Sequence, residues 1–162
     1  MISVLIADDQ ELIRESLELI ISLDPRFQFV GSAKDGREVV ELAQKLRPDV
    51  ILMDIRMPEI NGLECVKLIK QKDSSIKIII LTTFDDDQYV YEAVKYGADG
   101  FLLKGISKND LLSSIATVHS GGPSSTRILH RRYSVSSAAW PIPRSAPCRS
   151  LMRRSNRSLP KS

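Results

Sequence analysis

Short apolar runs and longer stretches of helical periodicity take turns along the first 120 residues. Ser3–Ala7, Phe27–Ala33, Val50–Met53, Ile76–Leu81 and Phe101–Leu103 read as strands. Ile76–Leu81 is almost continuously β-branched, the pattern of a strand covered on both faces. Between the runs, apolar residues keep a helical rhythm. From Glu11 it is carried by Leu12, Ile13, Leu17, Leu19, Ile20, Ile21 and Leu23, and Asp24-Pro25 ends it. Val39, Val40, Leu42, Ala43 and Leu46 predict a second helix, stopped at Arg47-Pro48, and Leu63, Val66, Leu68 and Ile69 a third. Asp85-Asp86-Asp87 can cap a fourth through Val90, Ala93 and Val94, stopped by Gly97. Ser107-Lys108-Asn109-Asp110 opens a fifth, which runs through Leu111, Leu112, Ile115, Ala116 and Val118 to Gly121-Gly122-Pro123.

Five strand–helix units joined by short connections imply an α/β fold, a parallel sheet wrapped by helices on both sides. In such a sheet the carboxyl ends of the strands share one edge, where these folds place their chemistry. Four of the five strands end in polar residues there: Asp8 and Asp9, Asp54, Thr82, and Lys104. Each has an ordinary reading on its own. Asp54 can start a turn, Asp8-Asp9 can cap a helix, Thr82 can close a strand, and Lys104 can be a surface lysine. The specificity lies in four strand ends agreeing.

Three converging carboxylates repel one another and suit a hard divalent cation, for which Mg²⁺ is the natural choice. One ionised Asp can then serve as an oxygen nucleophile and form an acyl phosphate. Lys104 and the Thr82 hydroxyl would engage the transferred phosphoryl oxygens. A carboxylate nucleophile needs no base, which suits a chain whose histidines, His119 and His130, lie outside the cluster.

Asp8-Asp9, Asp54 with Met57-Pro58 and Gly62, Thr82, and Phe101-Leu102-Leu103-Lys104 resemble the receiver domain of bacterial two-component response regulators. Leu81–Asp87 and Leu102-Leu103-Lys104 are most similar to the NarL/LuxR type. The resemblance covers residues 1–120. It implies a flavodoxin-like, doubly wound (βα)5 parallel sheet of strand order 2-1-3-4-5. It also implies that Asp54 is the aspartyl-phosphate site, charged by a cognate sensor histidine kinase. Asp9, Asp54 and the backbone carbonyl of Arg56 would hold Mg²⁺, with Asp8 acting through water. Lys104 would contact the phosphoryl group. Thr82 and Phe101 would be the switch pair, the ring moving in from outside as Thr82 turns, and the switch face could form a homodimer. Two positions depart from the pattern: Gly105 stands where many receivers have proline, and Phe101 has no hydroxyl. The implied protein is a switch module whose only catalysis is its own phosphorylation and dephosphorylation. A Mg²⁺-dependent phosphohydrolase with an Asp nucleophile would usually need a second Asp two residues on, where Arg56 stands. A nucleotide-binding fold would need a P-loop or a Gly-x-Gly-x-x-Gly after the first strand, and neither is there.

No apolar run approaches the roughly 18 residues that span a bilayer, so no membrane is expected. The N-terminus lacks a basic region, and Cys65 and Cys148 match no metal spacing. Together these features point to the reducing cytoplasm. Charge is unevenly distributed. Nine of the 23 basic residues and none of the 20 acidic ones lie from Gly121 onward, leaving 14 against 20 before it, a net of −6. Residues 121–162 are rich in Ser, Arg and Pro and lack apolar periodicity, a composition expected to stay disordered. No helix-turn-helix pattern occurs there. Two readings stay open for this tail. It is the product of a frameshifted or truncated regulator without its C-terminal DNA-binding domain, or it is a basic arm that contacts DNA phosphates. The arm reading predicts DNA retention that falls steeply with salt and vanishes from a chain ending at Ser120. The frameshift reading predicts that resequencing the gene finds a helix-turn-helix encoded in another frame just downstream, and a clean stop with nothing beyond counts against it.

Overall fold

The structure, a computed structural model, describes residues 1–83 and 87–121, with the side chains of 87, 88 and 90 set aside. The expected cap at Asp85-Asp86 and the tail from Gly122 lie outside the described residues.

Ten elements alternate: β1 Ile2–Ala7, α1 Glu11–Ser22, β2 Phe27–Ala33, α2 Gly36–Leu46, β3 Val50–Asp54, α3 Gly62–Lys72, β4 Lys77–Thr82, α4 Asp87–Lys95, β5 Gly100–Leu103 and α5 Lys108–His119. The strands form one parallel sheet in the order β2-β1-β3-β4-β5. Asp54 falls inside β3, one residue later than the apolar run alone implies.

Strand alternation sorts the core into two layers. Leu5, Ile51, Met53, Ile78, Ile80 and Phe101 pack with α2, α3 and Ala93 of α4 on one side. Val4, Ile6, Leu52, Ile79, Leu81 and Leu102 pack with Leu17 and Ile21 of α1 and with α5 on the other. Because both faces are covered, Ile78, Ile79 and Ile80 are all fully buried. Each such side chain contributes about 1.5–3 kcal/mol of transfer free energy. This burial, more than any propensity, holds the β-branched run as a central strand.

Local chemistry sets the helix ends. Asp35, Asn61 and Ser107 accept hydrogen bonds from the backbone N–H of Glu38, Glu64 and Asp110, so α2, α3 and α5 each carry a side-chain cap. α1 has none: Gln10 precedes it without a side-chain cap. Arg47 ends α2 in the left-handed region (φ 45°), just before Pro48. At the far end of the sheet, Asp99 receives the N–H of Ile78 (3.0 Å) and the Lys70 ammonium (2.6 Å), tying α3 to β4 and to the start of β5.

The loop after β3 is gripped by two glycines. Gly62 N–H donates to Ile55 O (2.7 Å) and Gly36 N–H to Pro58 O (3.2 Å). A Cβ on Gly62 would overlap the Asp54 carbonyl oxygen and lie 2.8 Å from Ile55 Cα, and one on Gly36 would overlap the Ile60 carbonyl. Both obstacles are backbone, which cannot rotate aside. Gly62→Ala is therefore expected to lower the unfolding free energy by about 1–3 kcal/mol, the usual range for overpacking, as measured by urea denaturation.

Candidate functional site

β1, β3 and β5 deliver three charged side chains to one edge of the sheet. Asp8 and Lys104 stand one residue beyond their strands, and Asp54 is the last residue of β3. All three continue the alternation of Val4/Ile6, Val50/Leu52 and Leu102, the α1–α5 side of the sheet. The Lys104 ammonium sits 3.1 Å from Asp8 Oδ2 and 3.2 Å from Asp54 Oδ2. Asp8 is fully buried and Asp54 nearly so, while Lys104 keeps about a fifth of its side chain in water. Asp9 is exposed, and its carboxylate joins those of Asp8 and Asp54 within 4.8 Å.

Asp8 is pinned by its backbone and by one carboxylate oxygen. Its N–H donates to Ala33 O (3.1 Å), and its Oδ1 accepts the N–H of Gln10 (2.9 Å). It therefore braces the β1–α1 turn and does not cap the helix. Asp8 Oδ2 is buried and, though within ion-pair distance of Lys104, accepts no hydrogen bond among the described residues. A buried carboxylate oxygen left in that state is costly. Together with an all-oxygen donor set, it fits a hard divalent cation held by Asp8, Asp9 and Asp54.

Burial pushes the Asp54 carboxyl above its ordinary range, and the charge of Asp8 adds to this. Lys104 and the backbone N–H of Arg56 pull the other way without cancelling it. Burial works to lower Lys104, yet the neighbouring carboxylates of Asp54 and Asp8 leave its pKa raised, so it stays an ammonium. One cation shared by two buried carboxylates leaves an excess of negative charge, which a divalent ion would offset.

Thr82 and Phe101 lie on the opposite face. Thr82 follows Ile78 and Ile80, on the side where Phe101 packs. Its Oγ1 donates to Thr83 O (2.7 Å), away from Asp54. Its backbone carbonyl accepts the N–H of Lys104 (2.8 Å), which couples the ends of β4 and β5. Phe101 is already fully buried in the α2–α4 layer. In this conformation the ring therefore already stands inside, where the sequence led us to expect it to enter from outside. Arg56 is exposed, two residues past Asp54. Gly105 adopts φ +93°, a conformation that favours glycine, which accounts for glycine after the lysine. His119 is exposed in the last turn of α5, outside the cluster.

Sequence reasoning missed Arg14, whose Nη1 donates to the Asp8 carbonyl at 2.7 Å. A cation near the start of a helix runs against the macrodipole, and that was the available signal. Cys65, which matches no metal spacing, is a free cysteine in the structure. The thiol is buried, donates to Gly36 O (3.3 Å), and is pushed up to about 12 by burial, so it is an inert part of the core.

The response regulator receiver domain model matches residues 4–116. The transcriptional regulatory protein LnrK of Bacillus subtilis is 43% identical over 122 residues, 75% of this chain and 56% of that protein. The nitrate/nitrite response regulator NarL of Escherichia coli is 36% identical over 119 residues, 74% of this chain and 55% of its own length. The chain therefore spans about half the length of these curated relatives. Among solved structures, the response regulator domain of Thermotoga maritima CheB superposes with a TM-score of 0.70 at 37% identity, covering 76% of this chain and 99% of that one. The receiver domain of a putative NarL from Mycobacterium tuberculosis gives 0.71 at 30% identity, covering 74% and 97%. Among the described residues, no helix is long and apolar enough to cross a membrane. With the acidic edge, the shared lysine and this strand order, the chain belongs to the response regulator receiver domain family, and its relatives are regulators of the NarL and LuxR type.

Proposed function

We propose that this chain is the phosphoacceptor of a two-component relay, in which Asp54 takes a phosphoryl group from the phosphohistidine of a sensor histidine kinase. The observation that carries the reading is Lys104 lying 3.1–3.2 Å from both Asp8 and Asp54 at the sheet edge of a receiver domain. An Asp54 carboxylate oxygen attacks phosphorus as the phosphorus–nitrogen bond of the donor breaks. The electron pair leaves on the imidazole nitrogen, which takes up a proton, and an acyl phosphate remains. Mg²⁺, held by Asp8, Asp9, Asp54 and the Arg56 carbonyl, would supply charge neutralisation for the phosphoryl oxygens. Lys104 is placed to contact one of those oxygens once it lets go of a carboxylate.

The new charge beside β4 would draw the Thr82 hydroxyl away from the Thr83 carbonyl. Phe101 then repacks within the layer it already occupies, and the surface of α4, β5 and α5 shifts between two packings. That surface is the candidate homodimer face. Control of transcription, which the name of LnrK states for that protein, extends the same proposal through a DNA-binding output, and so does a cytoplasmic location.

Asp54→Ala is expected to abolish labelling by acetyl phosphate, followed by intact mass, and to abolish uptake of beryllofluoride. Labelling that persists in the variant at another residue would remove Asp54 from the role.

The raised pKa of Asp54 has a stability consequence. The unfolded chain releases this proton near pH 3.9, whereas the folded chain holds it to higher pH. The unfolded state therefore binds fewer protons in that window, and stability falls as pH rises from about 4 through the folded-state pKa. Asp54→Asn removes this loss. Without added metal, its thermal midpoint should exceed that of the wild type at pH 7, and the gap should close below about pH 4. Millimolar Mg²⁺ should raise the wild-type midpoint and narrow the gap at pH 7.

A further inference from the structure

We infer that Arg14 is a positioning residue for the metal-binding turn, fixing the direction in which Asp8 and Asp9 present their carboxylates. This inference rests on the phosphoacceptor reading and its Mg²⁺ site.

Arg14 is the fourth residue of α1, where the helix dipole disfavours a cation. It is half-buried, and its Nη1 reaches back six residues to the Asp8 carbonyl at 2.7 Å. That short bond explains why a cation stands there. The turn it holds, Asp8-Asp9-Gln10, is the one joining the metal-binding carboxylates to α1. Where α2, α3 and α5 have a capping side chain, α1 has none, so Gln10 does not anchor the turn through its side chain. The turn is anchored instead through Asp8. Its N–H is bonded to Ala33 O, its Oδ1 to Gln10 N–H and its carbonyl to Arg14. Its Oδ2 faces the Lys104 ammonium at 3.1 Å and lies within reach of Asp9 and Asp54. Of the three partners of Asp8, the Ala33 carbonyl, the Gln10 N–H and the Arg14 guanidinium, Arg14 is the one that contributes a side chain, so it can be removed without altering the backbone or the Asp8 carboxylate.

Charge and position predict opposite signs. A guanidinium close to a divalent-cation site weakens binding by repulsion, so removing it would tighten binding if charge were its role. If it orients the turn, removing it loosens Asp8 and Asp9 and weakens binding. Outer groups that orient metal ligands typically change affinity 10–100-fold.

The test is Mg²⁺ titration of the full chain by calorimetry, with the metal-free unfolding midpoint measured in parallel. Arg14→Met keeps the aliphatic stem and removes both donor and charge. The Mg²⁺ dissociation constant is expected to rise about tenfold. Arg14→Lys, which retains a charged donor with shorter reach, is expected to recover part of the loss. Unchanged or tighter Mg²⁺ binding by Arg14→Met overturns the inference, even if its metal-free midpoint falls, because the residue would then be structural or repulsive only. Should Arg14→Met not fold, Arg14→Gln takes its place, with weaker binding supporting the inference and equal or tighter binding overturning it. A wild-type chain that does not bind Mg²⁺ at all overturns the metal reading itself, and this inference with it. That outcome is separable, because it is read before any variant is made.

Discussion

The Lys104 ammonium between Asp8 and Asp54 is the interaction the rest of the site depends on. Two carboxylates removed from water repel each other and lose hydration. A single cation 3.1 Å from one and 3.2 Å from the other makes the arrangement tolerable. It does so incompletely, since Asp54 stays raised and one cation faces two carboxylates. On the proposed reading, a divalent cation would offset that residual imbalance. The β2-β1-β3-β4-β5 order is what brings the three residues together, because β1 lies beside β3 and the lysine arrives from two strands away.

Around this charged point the backbone is held unusually close. Gly36 and Gly62 press against the segment from Asp54 to Ile60, and the Cys65 thiol donates to the carbonyl of Gly36 behind it. Asp54 is thus presented by a strand end and a loop with little freedom. Arg14 does the corresponding work on the β1–α1 turn through the Asp8 carbonyl. For the proposed phosphoacceptor such aiming in advance matters, since orientation acquired during a reaction costs rate.

Strand alternation separates the residues proposed for chemistry from those proposed for the response. Asp8, Asp54 and Lys104 continue the α1–α5 side, whereas Thr82 and Phe101 share the α2–α4 side. A main-chain bond, the Lys104 N–H on the Thr82 carbonyl, links them. A change at the acidic edge can therefore reach the other layer by shifting the ends of β4 and β5, without a ring having to enter from solvent.

Much of this was legible in the chain itself. Five apolar runs separated by helical periodicity dictate a wound parallel sheet, because only that arrangement buries a run such as Ile78–Ile80 on both faces. Polar residues at the strand ends then mark the working edge, which is how Asp8, Asp9, Asp54, Thr82 and Lys104 can be named from periodicity and spacing. Contacts that depend on distance through space were not legible. That one lysine serves two carboxylates, that Thr82 turns to its neighbour's carbonyl and that Phe101 is already buried follow from how β3, β4 and β5 pair, which no local pattern encodes. Arg14 belongs with these. Its sequence neighbours mark it as one more charge on an amphipathic helix, and only the close approach of the first turn of α1 to the end of β1 makes it a support for the acidic site.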